Sequence, residues 1–478
     1  MKENVNNSMT IKSKTKRWDK AHIETVIRLS IPAILAEISS VAMQYIDSAM
    51  VGSLGAKGTA SIGLVSTSTW LISGLCMGAA TGFSVQVAQL IGAGKEKEAQ
   101  GVLRQSLLVC LMVSVILAAA GCYISGFLPK WLGGASEIQK QASRYFFVYC
   151  CFLPAMQFRY LAGSMLQCSG NMRVPGILNA SMCGLDVILN LLLIFPSREL
   201  TVFHSIHILL PGANLGVTGA ALGSALSEVT VAVIMMWAVC MHSDKMRIIG
   251  KGINGKGSWR PRKRCMKAAV GIALPITFEH TVMCGAQVAS TYIIAPLGTA
   301  SVAANSLAVT AESFCYMPGY GIASAATTLV GQGIGAGDKE RARCYARVSV
   351  GLGIALMSGA SILMYLFAPE IFAMLTPDPT VRSLGTTVLR IEAFAEPLYG
   401  ASIVVAGALR GAGDTLVPSI LNLVSMWGVR ISLSCILAPR FGLVGVWIAM
   451  CAELCVRGVL FLIRLFREKW LLTEIYKK

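Results

Sequence analysis

The sequence predicts an all-α integral membrane protein, with twelve transmembrane helices in two six-helix lobes related by a parallel internal repeat. Three observations predict it. Of the 478 residues, 55% are hydrophobic and 14% charged, with mean hydropathy +0.64, against about 45–50% apolar and about 25% charged in an average soluble domain. Apolar runs able to cross a bilayer, roughly 20 residues each, recur twelve times. Shifting the chain by 243 residues, Pro32 onto Pro275, superimposes glycines and prolines of its two halves.

In order, the runs fall near 23 to 53, 58 to 92, 100 to 127, 138 to 168, 174 to 195 and 214 to 241. The second half has 268 to 296, 301 to 335, 344 to 368, 383 to 409, 416 to 437 and 442 to 466. They are continuous, so helices are expected in place of barrel strands of about ten alternating residues. Residues 1–22 are read as a cytoplasmic basic tail and not a signal peptide, because Lys12, Lys14, Lys16, Arg17 and Lys20 lead directly into a full-length run. Residues 23–241 then form an N-lobe, 242–267 a cytoplasmic basic linker, 268–466 a C-lobe and 467–478 a second cytoplasmic tail.

The formal charge of +17 could mean nucleic acid, anionic lipid or topology. Seven Lys and Arg lie between Lys2 and Arg28, nine between Lys245 and Lys267, four between Lys339 and Arg347, and five from Arg464 to Lys478. With Lys95, Lys97, Arg104, Arg173 and Arg410, these place 30 of 41 on one face, the positive-inside pattern of a chain with cytoplasmic termini. No single patch with interleaved aromatics remains for nucleic acid. The stretch from Gly250 to Gly257 resembles a phosphate loop but lacks the Ser/Thr after its lysine and a preceding strand. It reads as a solvated linker held at the inner leaflet. The fifteen cysteines are scattered without a CxxC pair, and His204 and His207 share a polar loop, so no zinc or redox chemistry is expected.

The repeat aligns Leu54-Gly55 with Leu297-Gly298, Gln89 to Gly94 with Gln332 to Gly337, Pro154 with Pro397, Gly170 with Gly413 and Pro196 with Pro439. Past that point the offset drops to 226, pairing Gly216 with Gly442. Six spans per copy put both copies in the same sense across the membrane, a transporter plan in which substrate binds between the halves near the midplane. Pro32 and Pro275 lie inside the first helix of each lobe and loosen it.

Charges inside spans are costly, about 2.5–3.5 kcal/mol each on insertion scales, and so point to function. This chain has Glu37, Asp47, Arg159, Asp186, Glu228, Glu279, Glu312, Glu392, Glu396, Arg430 and Glu453 there. The repeat sorts them. Asp47 matches Ser290, while Asp186 and Asn190, one helical turn apart with Asn179 on the same face, match Val429 and Leu433. Acids confined to one lobe of a symmetric scaffold suggest a coupling-ion site whose oxygens suit a proton or sodium. Glu279 and Glu312 are candidate countercharges for a cationic substrate, and Arg159 and Arg430 are read as neutralising buried acids.

Pro32 to Gly55 (PAILAEISSVAMQYIDSAMVGSLG), the Gln89 and Gln332 motifs, Met317 to Gly321 (MPGYG) and Leu409 to Thr415 (LRGAGDT) resemble the multidrug and toxic compound extrusion (MATE) family over about residues 25 to 465. The resemblance implies a secondary antiporter, not an enzyme, that exports cationic amphipathic molecules in exchange for H+ or Na+. In the DinF-like branch it implies a first-lobe site at Asp47, Asp186 and Asn190, with a sixth-helix hydroxyl matching Ser224. The family order in the fifth helix is Asn then Asp, reversed here. Acids of the NorM-like branch align with Met283 and Tyr399, which places the chain nearer the DinF-like branch.

The expected cation-coupling set is therefore Asp47, Asp186, Asn190, Ser224, Asn179 and Gln44, with sodium at Asp47, Asp186 and Asn190 as the one metal envisaged. Pro32, Glu279, Glu312 and Gln287 are candidates for the substrate cavity or its gating. No cofactor beyond H+ or Na+ is expected. A monomer in the cell membrane is expected, with small cationic molecules and membrane lipid as its partners. The rival readings are a major-facilitator carrier, disfavoured by the Gly92-Ala-Gly-Lys-Glu-Lys-Glu turn, and a lipid-linked saccharide flippase, disfavoured by twelve spans and few midplane arginines. A membrane enzyme or channel is disfavoured by the absence of a nucleophile and base pair and by the repeat.

Overall fold

No glycine or proline interrupts the chain before Pro32, and one helix, α1 (Lys2–Gly52), runs from the basic tail through the first span. The expected boundary at residue 22 is thus not a change of secondary structure. The computed structural model describes residues 2–202, 206–249 and 259–472, with side chains throughout except at 2–19, 56 and 198–210. The expected phosphate-loop look-alike at 250–257 and His204 lie outside the described residues, as does the His207 side chain.

The first half continues with α2 (Ala56–Gly92), α3 (Glu96–Ile124), the single turn α4 (Leu128–Trp131), α5 (Ser136–Cys151), α6 (Leu153–Cys168) and α7 (Arg173–Ile194). An antiparallel hairpin, β1 (Pro196–Val202) with β2 (Ile206–Ala213), stands where a polar loop was expected. Helix α8 (Val217–Trp237) closes the half and widens into a π turn ending at His242. The second half has α9 (Lys263–Ile294), α10 (Thr299–Gly335), α11 (Lys339–Leu375), α12 (Pro379–Ala393), α13 (Glu396–Ala412) and α14 (Leu416–Leu423). A π turn (Val424–Ile431) leads on to α15 (Ser432–Phe466).

The fourth and tenth spans are broken helices. Pro154 and Pro397, partners in the repeat, enter α6 and α13 without an N–H to donate, and the chain breaks just before each. Eight helical segments are apolar and long enough to cross a bilayer, and one of them, Leu416–Phe466, holds two crossings folded at Gly442 (φ 59). Counting that segment twice and adding α5 with α6, α10, and α12 with α13 gives the twelve expected crossings. Left-handed glycines recur as repeat pairs: Gly55 with Gly298, Gly94 with Gly337, Gly170 with Gly413, and Gly216 with Gly442. Large apolar side chains such as Ile116, Ile177, Val233, Leu274 and Ile362 face outward, as lipid contact requires.

Each lobe has its own core: Leu103, Leu161, Met165 and Val239 in the first, and Val330, Val350, Val404 and Phe461 in the second. The lobes exchange their first helices. Helix α1 packs on α7 of its own lobe, where a Cβ on Gly176 would come 2.7 Å from the Pro32 carbonyl, and on α10 of the other, where Gly321 lies against Ala33 and Ile34. Helix α9 packs likewise on α2. At the basic end α2 and α10 cross so closely that a Cβ on Gly92 would overlap the Gln332 main chain, and one on Gly335 that of Gln89. The same glutamines cross between lobes: Gln89 Nε2 donates to the Gly411 carbonyl at 3.2 Å, and Gln332 Nε2 to the Cys168 carbonyl at 3.0 Å. Gly411 and Cys168 are themselves repeat partners, so one sequence motif, used twice, makes a two-fold seam.

Gly92→Val or Gly335→Val should separate this seam. Overpacking of this kind costs about 1–3 kcal/mol, so each variant is expected to melt at lower temperature than the parent when purified protein is heated. Gly101→Val, at a glycine with open space around it, should not.

Candidate cation site

Helices α7 and α8 run antiparallel and touch through a stripe spaced four residues apart, Gly219, Gly223 and Ser227. A Cβ on Gly219 would overlap the Leu193 carbonyl, and one on Gly223 the Asn190 Oδ1. Small residues at this spacing let backbones approach. The opening at Gly223 leaves room for the Asn190 carboxamide, and one turn on, Ser227 faces Asp186. Asp47 reaches the same point from α1.

The Asn190 Nδ2 donates to Asp47 Oδ1 at 2.9 Å and to Asp186 Oδ2 at 2.9 Å. Ser227 Oγ lies 3.2 Å from Asp186 Oδ1. Asp186 is 0% and Asn190 1% exposed, and Asn190 Oδ1 is buried without a hydrogen-bond partner. Among the described residues no arginine, lysine or histidine pairs with either aspartate. Two carboxylates, an amide oxygen and a hydroxyl, with no positive side chain, form a donor set for a hard cation.

Three other intramembrane acids are each paired with an arginine. Arg159 Nε bonds Glu228 Oε2 at 2.5 Å, its Nη1 reaches Asn179 Oδ1 at 3.4 Å, and its guanidinium lies 4.6 Å above the Tyr160 ring. Glu279 is held by Arg410 at 3.1 Å, Asn422 at 2.7 Å and Ser419 at 3.2 Å. Glu453 takes both arms of Arg457, each at 2.7 Å. Glu37 and Glu312 form no ion pair among the described residues, and two more such acids lie at the break in the tenth span. Glu392 and Glu396 are each 0% exposed, and among the described residues neither pairs with a basic side chain, the Cys315 thiol being the polar neighbour of Glu396.

The structure brings together Asp47, Asp186 and Asn190 and separates the rest of the expected set. Ser224 makes no side-chain hydrogen bond. The α7–α8 register aligns Gly223 with Asn190, and Ser227, a full turn beyond Gly223, takes the place beside Asp186; Ser224 contributes its carbonyl to Ser227 at 2.8 Å. Asn179 belongs with Arg159 and Glu228, because the long arginine side chain reaches it first. Gln44 and Gln287 are exposed, with side chains that make no hydrogen bond. Pro32 sits against Gly176. Glu279 is not a free countercharge, since Arg410 occupies it, while Glu312 is buried facing Arg430 and Arg457. Sequence reasoning missed Ser227, for which the Gly219, Gly223, Ser227 spacing was the available signal, and it placed Glu392 and Glu396 inside a span without selecting them for a site.

A sequence model of the MatE family matches residues 32–192 and 275–436, the two copies of the repeat. Among curated proteins, a probable multidrug resistance protein NorM from Thermotoga maritima is 25% identical over 448 residues, covering 93% of this chain and 92% of its own. A multidrug resistance protein MdtK from Yersinia pseudotuberculosis is 25% identical over 456 residues, covering 94% and 95%. Among solved structures, an outward-facing multidrug resistance MATE family transporter superimposes with a TM-score of 0.84 at 20% identity, covering 94% of this chain and 97% of the other. The Vibrio cholerae MATE transporter VcmN in its bent form gives 0.82 at 18% identity, covering 94% and 97%.

The pairing pattern predicts opposite stability effects. Arg159→Gln strands Glu228 without its partner, a loss of up to about 3–5 kcal/mol for a buried pair, and should lower the melting temperature sharply. Asp47→Asn and Asp186→Asn remove mutually repelling charges and should leave it unchanged or raise it. Thermal melts of the purified variants decide this.

Proposed function

This chain belongs to the MatE family, and from that premise we propose that it exports small, mainly cationic and amphipathic molecules in exchange for protons or sodium. It is a multi-pass membrane transporter, not an enzyme, and this kind of transport calls for no organic cofactor. The observation that carries the coupling assignment is the orphaned Asn190 Oδ1 beside two aspartates that no basic side chain neutralises.

In the proposed cycle, a cation entering between Asp47 and Asp186 removes their repulsion and draws α1 toward α7 and α8. When the cation leaves, repulsion pushes α1 away. Because α1 packs both on α7 at Pro32 and on α10 at Ala33 and Ile34, its displacement reaches the boundary between lobes. The α2–α10 seam supports reading this conformation as sealed at the basic end, and the clustering of Lys and Arg there supports cytoplasmic termini in a cell-membrane protein. One elementary charge moving through 100 mV supplies about 2.3 kcal/mol, comparable to the ~1–3 kcal/mol typical of coupling between sites.

A second reading places an additional cation at Glu392 and Glu396. It is favoured by two fully buried carboxylates that form no ion pair among the described residues and by the local tally: Arg457 is bound by Glu453, which leaves Arg430 as the arginine facing Glu312 and Glu392. Glu392→Gln combined with Glu396→Gln should then lower export, and unchanged export removes this reading.

For the main reading, Asp47→Asn and Asp186→Asn, expressed at parental levels, should lower ethidium efflux from intact cells at least about tenfold. Ser227→Ala should reduce it, and Ser224→Ala should not. Efflux equal to the parent in both aspartate variants contradicts the assignment. In everted vesicles, collapsing an imposed pH or sodium gradient separately with selective ionophores names the ion by the one collapse that stops export.

A further inference from the structure

At the basic end of the first lobe a cavity of about 510 Å³ opens beside the two-fold seam, within the roughly 300–1,000 Å³ range of small-molecule sites. Three elements each send a cation to it: Arg28 from α1, Arg173 from the first turn of α7, and Lys245 from the segment that follows α8. All three side chains are exposed, and the backbone that carries Lys245 is anchored. The neighbours of Lys245 on that segment, Met246 at 0% and Ile248 at 7% exposure, are anchored in the lobe core, Ile248 N–H bonds the Cys240 carbonyl at 2.9 Å, and Gln100 Nε2 bonds the Lys245 carbonyl at 3.2 Å. Among the described residues none of the three cations forms an ion pair. Asp244, the single carboxylate in the lining, does not pair with them.

The same cavity receives the N-terminus of the 22-residue helix α7. Its Met172 cap offers no side-chain acceptor, and Asn171 Oδ1 takes only the Val174 N–H, at 3.2 Å. Converging cations and helix-terminal N–H groups favour a phosphate oxygen cluster over a carboxylate or halide, since guanidinium forks match phosphate geometry and a helix N-terminus adds aligned donors. We propose that this cavity binds a phosphate-bearing anion, supplied as the headgroup of an anionic phospholipid in the adjoining leaflet or as soluble phosphate. Ser169 and Gly170 line it, next to the Cys168 carbonyl that Gln332 holds, so an occupant lies one residue from the contact that joins the lobes.

The test uses native mass spectrometry of the purified full-length chain with phosphatidylglycerol, phosphatidylcholine and inorganic phosphate as separate probes, and does not involve transport. The parent should retain phosphatidylglycerol and not phosphatidylcholine. Arg28→Gln, Arg173→Gln and Lys245→Gln should each weaken retention about fivefold, and the triple variant on the order of 100-fold. Arg28→Lys with Arg173→Lys, which keeps the charge, should retain most of the binding and shows that losses in the glutamine variants are not misfolding. Displacement of the lipid by millimolar phosphate identifies the soluble anion as ligand, and no displacement identifies the headgroup. Equal retention of phosphatidylglycerol by parent and triple variant, or equal retention of phosphatidylcholine and phosphatidylglycerol, overturns the proposal.

Discussion

A carboxylate buried in an apolar bundle has to be neutralised, and this chain provides an arginine for some of its acids and withholds one from others. Glu228 has Arg159, Glu279 has Arg410, and Glu453 has Arg457. Each pair ties two parts of the bundle or stiffens one helix, and losing either partner leaves an uncompensated charge. Among the described residues Asp47 and Asp186 have the Asn190 amide, which donates to both, and Asp186 also has the Ser227 hydroxyl, neither of which carries a charge. Those two positions are where we propose that a mobile cation does what an arginine does elsewhere, its arrival and departure changing the forces between helices.

That division explains why the first helix is placed as it is. Asp47 lies on α1, which packs closely on α7 at Gly176 and on α10 at Gly321. A change in attraction between Asp47 and Asp186 therefore acts on the helix shared between lobes. The opposite constraint sits at the basic end, where Gly92 and Gly335 bring α2 and α10 into backbone contact and Gln89 and Gln332 bond across the lobes. Absence of a side chain makes the seam close; amide hydrogen bonds, which exchange with water at modest net cost, let it come apart.

The fold was legible because the signals that encode it are local or periodic. Apolar runs gave the crossings, and Pro154 and Pro397 marked the repeat although not the helix breaks that follow from them. Asp47, Asp186 and Asn190 emerged from comparing the lobes, since an acid opposite a Val or Ser is visible without coordinates. Partnerships were not legible. Nothing in the sequence says that Arg410, assigned to a joint, reaches Glu279 some 130 residues away, that Arg159 takes Asn179, or that among the described residues Glu392 and Glu396 form no ion pair. Ser224 and Ser227 differ by a rotation of the α8 face, which the packing of Gly223 on Asn190 decides.

The central claim is that cation and exported molecule compete through Asp47 and Asp186. Ethidium binding to purified protein, followed by fluorescence anisotropy while proton or sodium concentration is raised, tests it most directly. The account predicts that one of these cations weakens ethidium binding to the parent and has little effect on the Asp47→Asn, Asp186→Asn double variant. Equal weakening in both proteins would contradict it.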